Sequence, residues 1–278
     1  MEHTGEEVTW RCENVYNRED MPAKFVHLHA HSYYSFLEGL AAPADLVQAA
    51  ARFEMPALAL TDRVGLTGAV KFYLACKDAG IKPVLGLHLP IDPPPDLVQA
   101  SGELVLLAMD REGWASLCRL SSTLLVDRAD DPTPRVPWEV LSQESAGLLC
   151  LAGFPGSLGK IAGGEGEREA AGYLARLAEV FPGRLYVGLQ SGKGSSPQLV
   201  EILTRAGEKL KLPVAALHSI YYLEPGQERQ QRLATAVRLN KRLTAVADQE
   251  AAPPGSFFVS SEEMAARFVD HPEAIDAT

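Results

Sequence analysis

Three histidines at alternate positions, His27, His29 and His31, open the stretch FVHLHAHSYYS at residues 25–35. Alternate residues of a strand face the same way, so His29 and His31 can both reach one ion. Imidazole suits zinc, iron, manganese and copper, and a catalytic centre needs further ligands from other strand ends. Taken alone, an HxH pair arises often by chance, and its plain reading is one or two side chains facing solvent or closing a barrel bottom. Asp62, at the end of ALALTD, is an acid at a strand terminus, where ligands and bases sit in barrels. It serves equally well as a cap that accepts backbone N–H groups from the helix running through Gly65.

The elements that must position these residues are legible as short apolar runs. They are FVHLH from Phe25, ALALT from Ala57, KPVLGL from Lys82, ELVLLA from Glu103, GLLCLA from Gly147, RLYVGL from Arg184 and PVAAL from Pro213. Helical patterns separate most of them: Pro43 to Phe53, Gly65 to Ala79 with Gly80 behind it, Glu112 to Val126, Gly166 to Phe181, and Ser196 to Leu212 before Pro213. Alternating strands and helices predict parallel βαβ units, and the number of units suits a closed or nearly closed α/β barrel better than a doubly wound sheet. The expected functional edge is the C-terminal ends of the strands. Proline-rich loops fall at DPPPD from Asp92, DDPTPRVP from Asp130 and AAPPGS from Ala251. Beyond the last strand, GQERQQRLATAVRLNKRL reads as a charged amphipathic helix, and SSEEMAARF opens like a capping box, Ser260 standing three residues before Glu263.

Composition narrows the function classes. With 36 acidic and 26 basic residues the formal charge is −10, which argues against a surface that grips nucleic acid through many phosphates by itself. The four cysteines, Cys12, Cys76, Cys118 and Cys150, form no CxxC pair, so neither a zinc ribbon nor a disulfide framework is indicated. No apolar run approaches the roughly 20 residues that span a bilayer, and the polar, acidic leader over residues 1–23 lacks the pattern of a signal peptide. The expectation is a cytoplasmic protein with no membrane contact. GKGSS from Gly192 and AGGEGE from Ala162 complete no phosphate-binding motif and read as loops. Trp114 and Trp138 read as packing, with no aromatic and basic interleaving around them.

The order of motifs resembles a known family, the polymerase and histidinol phosphatase (PHP) domain of bacterial DNA polymerase III alpha subunits and their error-prone relatives. FVHLHAHSYYSFLEG is similar to that family's opening motif FVHLHxHSxYSLLDG. ALALTDRVGLTGAVKFYLACKDAGIKPVLGLHLPI, ELVLLAMDREGWASLCRLSS, LAGFPGSLGKIAGG, RLYVGLQ and FFVSSEEMAARFVDHPEAIDAT follow its later landmarks in order, from about Lys24 to the last residue. The resemblance implies a distorted (β/α)7 barrel over residues 24–224, with a C-terminal helical extension over 225–278 that leads toward a polymerase core. It also implies a metal cluster at the barrel mouth. Where that cluster is intact, family members hydrolyse phosphoesters, including 3′–5′ exonuclease action.

Carried over residue by residue, the resemblance leaves an incomplete shell. His29, His31 and Asp62 stand at family ligand positions. Arg63 replaces a histidine, His88 a metal-bridging glutamate, Glu103 a histidine and Phe154 a cysteine. In AALHSIYYL, Ser219 takes an aspartate position and Tyr221 a histidine position, with His218 one residue before Ser219. An arginine has no lone pair to give a metal. The expectation is a degenerate domain in which Arg63 and Glu103 replace metal by an internal ionic network and no cofactor is held. The alternative is a rebuilt zinc or manganese site from His29, His31, Asp62, His88 and His218.

Three functions follow as expectations. The first is a structural module of a polymerase III alpha-like protein in DNA replication or repair, touching DNA only indirectly and unable to polymerise alone. The second is a residual phosphoesterase or exonuclease, and the third a free-standing adaptor for polymerase or other replication and repair partners.

Overall fold

The computed structural model describes residues 25–97, 102–131, 133–153, 166–192 and 195–278. The leader and Phe154 lie outside the described residues. Local signals set the helix ends. Helix α1, Pro43–Arg52, starts on a proline whose missing N–H costs nothing there, and the Asp45 carboxylate accepts from Ala42 N–H. It buries Leu46, Val47, Ala49 and Ala50. Strand β1 is Ala57–Leu60, and helix α2, Ala69–Ala79, stops at Gly80 with φ of 70°, a conformation that glycine adopts without a Cβ penalty.

Strands β2, Lys82–Ile91, and β3, Gly102–Ala108, follow. Helix α3, Arg111–Ser122, is capped by Asp110, whose Oδ1 accepts from Gly113 N–H at 2.8 Å. It runs into a π turn, Thr123–Asp127, so the single helix read from Glu112 to Val126 changes winding in its last turn. Then come α4, Trp138–Gln143, β4, Leu148–Ala152, α5, Gly166–Val180, β5, Leu185–Gln190, α6, Pro197–Leu210, and β6, Val214–Leu217. Helices α7, Glu228–Arg238, α8, Ser261–Arg267, and α9, Pro272–Asp276, complete the chain. Ser260 caps α8 as expected, its Oγ accepting from Glu263 N–H at 3.2 Å.

The six strands form one curled mixed sheet in the order β1-β2-β3-β4-β5-β6. Pairs β1/β2, β4/β5 and β5/β6 are parallel, whereas β3 is antiparallel to both neighbours. This corrects the all-parallel expectation. An antiparallel neighbour needs no crossover helix. The link from β2 to β3 accordingly carries the DPPPD loop, with no helix among its described residues. The opening segment, residues 25–31, closes the ring. On one side it accepts Ala59 N–H at His27 O and Thr61 N–H at Ala30 O. On the other, His31 N–H donates to Ile220 O and Ile220 N–H to His29 O. The α/β fold is thus a distorted barrel whose seventh stave is the histidine segment.

The closing residues return to that stave. His27 Nε2–H donates to Val259 O at 2.9 Å, Val26 N–H to Thr278 Oγ1, and Phe258, Val259, Met264, Phe268, Ala274 and Ile275 join the core. Between α3 and the turn before β4 the backbones nearly touch. A Cβ on Gly113 would lie 2.0 Å from Gly147 O. Gly113→Ala must therefore push two backbones apart, and we expect a loss of about 1–3 kcal/mol, read as a lower urea midpoint at unchanged slope.

Candidate metal centre

The barrel mouth gathers residues from four places. His29 and His31 come from the opening stave, Asp62 and Arg63 from just beyond β1, and His88 from β2, which pairs with Arg63 in a parallel bridge. Glu103 comes from the start of β3. Because β3 runs backwards and pairs Glu103 with Pro90, its first residues lie at the same mouth as the strand ends of β1 and β2.

One ligand atom each from His29, His31 and His88 lie within 4.8 Å of one another, and all three side chains are buried. His29 Nε2 and His31 Nε2 are 3.3 Å apart. The His31 ring stacks on Tyr221 with centroids 4.3 Å apart. Hydroxyls hold the far nitrogens: His29 Nδ1 is 2.9 Å from Thr61 Oγ1, and His31 Nδ1 is 2.8 Å from Ser35 Oγ. Burial, reinforced by the neighbouring imidazoles, pushes the pKa of both His29 and His31 well below the usual histidine range, so both are neutral at pH 7.

Asp62 does not face this cluster. Its Oδ1 accepts from Ser32 N–H and Ser35 Oγ–H, and its Oδ2 from Ser32 Oγ–H, each at 2.7 Å. The acid ties down the loop after the histidines. Burial raises its pKa, and the serine hydrogen bonds pull against that rise. Because Ser35 gives its proton to the carboxylate, it must accept from His31 Nδ1–H. That fixes the His31 tautomer and leaves a lone pair on Nε2.

His218 also stands apart. Its Nε2–H donates to Phe257 O at 2.7 Å, and its Nδ1 accepts from Arg267 at 3.2 Å, so both nitrogens are engaged. Ser219 and His218 line a separate cavity of about 420 Å³ beside Arg267. Burial pushes His218 down to about 4.

An ionic network covers the triad. Arg63 donates to Glu103 Oε1 at 2.6 Å, and Glu103 Oε2 lies 3.2 Å from His88 Nε2. Glu38 lies 3.6 Å from Arg63 and 3.4 Å from Arg238. Burial works against the charge on Glu103, but His88 and Arg63 outweigh it and hold its carboxyl well below the usual range. Burial likewise opposes the Arg63 charge, and Glu103 and Glu38 overcome it. Arg63, Glu103, Glu38, Arg238 and Tyr221 line a mouth cavity of about 270 Å³.

Ser32, Ser35, Thr61, Glu38 and Arg238 did not stand out in the sequence as members of the site. Ser32, Ser35 and Thr61 carried a signal, being hydroxyls within four residues of a candidate ligand. Glu38 and Arg238 meet only through the fold.

The PHP domain family profile matches residues 27–192, and the chain belongs to that family. It is 31% identical over 260 residues to the DNA polymerase III subunit alpha of Caulobacter vibrioides, covering 91% of this chain and 23% of that protein. It is 32% identical over 275 residues to the error-prone DNA polymerase of Symbiobacterium thermophilum, covering 91% and 24%. The chain thus spans about a quarter of the length of the curated relatives it matches. Among solved structures, an amidohydrolase from Chromobacterium violaceum is 16% identical with a TM-score of 0.45, over 70% of this chain and 87% of that one. No described helix is long and apolar enough to cross a membrane.

Proposed function

We propose that this chain is a PHP module of a polymerase III alpha-like protein, serving DNA synthesis as a structural partner of a polymerase core without hydrolysing phosphodiesters itself. The Arg63–Glu103 pair carries this reading. Metal-dependent hydrolysis needs ions that both activate water and neutralise the phosphate, with open coordination positions facing the substrate. Here the cation beside the histidines is a guanidinium with no lone pair to offer, and its partner carboxylate rests against His88. Asp62 and His218 spend their polar atoms elsewhere. The remaining donors are three imidazoles no more than 2% exposed.

The geometry of the histidine pair favours a second reading for those three alone. Metal–nitrogen bonds of about 2.0–2.1 Å in a tetrahedral site put neighbouring nitrogens about 3.3–3.4 Å apart. His29 Nε2 and His31 Nε2 are 3.3 Å apart. That spacing matches a shared ion for the pair, and His88, with a ring nitrogen within 4.8 Å of theirs, stands where it would complete the set, with Glu103 to balance the charge. A bound zinc would supply a cross-link between the opening stave and β2. The side chains themselves keep substrate out: the Tyr221 ring covers His31, and the Arg63–Glu103 pair closes over His88.

Elemental analysis after zinc or manganese loading, alongside hydrolysis of bis(p-nitrophenyl) phosphate, tests both readings. The structural reading predicts no hydrolysis. Metal near one equivalent, lost in His31→Ala, establishes the ion without restoring the enzyme. Hydrolysis that disappears in His29→Ala overturns the structural reading.

A further inference from the structure

Extending the single-ion reading of the triad, we infer that the Thr61 hydroxyl is a two-position rotor that decides whether His29 Nε2 donates a proton to His31 or offers a lone pair to an ion. The oxygen is placed for both. Thr61 Oγ1 lies 2.9 Å from His29 Nδ1 and 3.3 Å from Ala30 O, and it accepts from Ala30 N–H at 3.1 Å in either position. The side chain is fully buried, so no solvent competes for its proton.

With the hydroxyl turned to His29, Thr61 donates to Nδ1. The ring then carries its proton on Nε2 and gives it across 3.3 Å to His31 Nε2, whose lone pair is fixed by the chain from His31 through Ser35 to Asp62. With the hydroxyl turned to Ala30 O, Thr61 instead accepts from His29 Nδ1–H, and both Nε2 atoms present lone pairs to the same point. Two facing lone pairs at 3.3 Å repel unless a cation lies between them. The first position therefore belongs to the ion-free protein and the second to the loaded one. The ring stays neutral throughout: one N–H bond is lost at Nε2, one forms at Nδ1, and no net proton is released.

Thr61 is a positioning residue on this account, and its role differs from ordinary packing. Removing the hydroxyl leaves His29 Nδ1–H without an acceptor only in the loaded state, while Ala30 N–H loses its partner in both. Stability therefore falls in either state and affinity for the ion falls with the lost outer hydrogen bond, so it is the His29 tautomer without the ion that tells a rotor from a fixed acceptor. Loss of such an outer hydrogen bond to a metal-ligating histidine typically costs about 10–100-fold in affinity.

Long-range ¹H–¹⁵N spectra of the full chain, labelled at histidine, read the tautomers directly. In EDTA the expected pattern is His31 with its proton on Nδ1 and His29 with its proton on Nε2. Adding Zn²⁺ should move the His29 proton to Nδ1. Thr61→Val should bind zinc about 10–100-fold more weakly. Thr61→Ser should match the parent, which separates the hydroxyl from the fold if the valine variant is unstable. Zinc binding by a protein whose His29 already carries Nδ1–H in EDTA would overturn the rotor alone. Spectra unmoved by zinc would overturn the rotor together with the single-ion reading.

Discussion

Acidification from about pH 7.5 to about 5 in EDTA is expected to unfold the domain, well above the range where carboxylates usually drive acid unfolding. Four buried imidazoles are responsible: His27 is held down at about 3 and His218 at about 4, with His29 and His31 also well below the ordinary value. Burial is the first cause in every case. For His27, the proximity of His218 and Arg267 adds to it. Each ring binds fewer protons in the fold than in the unfolded chain. Its contribution is therefore complete above about pH 6.5 and drains away as pH falls toward the folded value. Each such ring removes on the order of 1 kcal/mol per pH unit over that window, so the four together remove several. Between about pH 6.5 and 5 that loss is comparable with the whole stability of a typical domain, about 5–15 kcal/mol.

Asp62 pulls the other way. Its pKa is raised on folding, so acid favours the fold at that one group. The Glu103 contribution, resting on a depressed pKa, is lost only below about pH 4.5 and adds nothing to the change at pH 5–6.5. Urea midpoints followed by circular dichroism at about pH 7.5, 6.5 and 5.5 should fall steeply over the lower interval. Midpoints that stay level would mean that the histidines are not neutral and buried together.

Asp62→Ala should be the most damaging single change at the mouth, costing about 3–5 kcal/mol. The carboxylate is 2% exposed and receives three hydrogen bonds of 2.7 Å from Ser32 and Ser35. Alanine leaves the buried Ser32 N–H and two buried hydroxyls without their acceptor. It also releases the Ser35 proton that now dictates the His31 tautomer. Asp62→Asn keeps the shape and an accepting oxygen, so it should lose distinctly less. Denaturation of the two variants beside the parent checks this, and an alanine variant within about 1 kcal/mol of the parent would contradict the loop-anchoring role.

Much of this was legible in the chain. Pro43, Gly80 and the Ser260 cap mark helix ends through local chemistry, and those ends sit where the pattern puts them, whereas α2 starts at Ala69 instead of Gly65 and α6 stops at Leu210 instead of Leu212. The reversed direction of β3 was not legible. An apolar run such as ELVLLA has no polarity of its own, and only the proline-rich DPPPD stretch after Ile91, which carries no helical pattern, hinted at a hairpin-like return. His29 and His31 meet as their spacing suggests and His88 joins them as the family resemblance implies, but spacing could not tell that Asp62 turns to Ser32 and Ser35. Nor could it tell that His218 turns to Phe257 and Arg267. Those choices depend on which partners the fold brings within about 3 Å of each polar atom. Likewise, Arg63 and Glu103 stand out as substitutions within motifs, yet their 2.6 Å contact follows from β3 lying antiparallel beside β2.

Degradation of 5′-labelled single-stranded DNA, with Mn²⁺ or Zn²⁺ added and a His29→Ala/His31→Ala double variant as control, tests the central claim most directly. The predicted result is intact DNA with parent and variant alike. Stepwise 3′ shortening by the parent that the double variant lacks would contradict it, and would mean that an ion held by these histidines reaches substrate past Arg63 and Glu103.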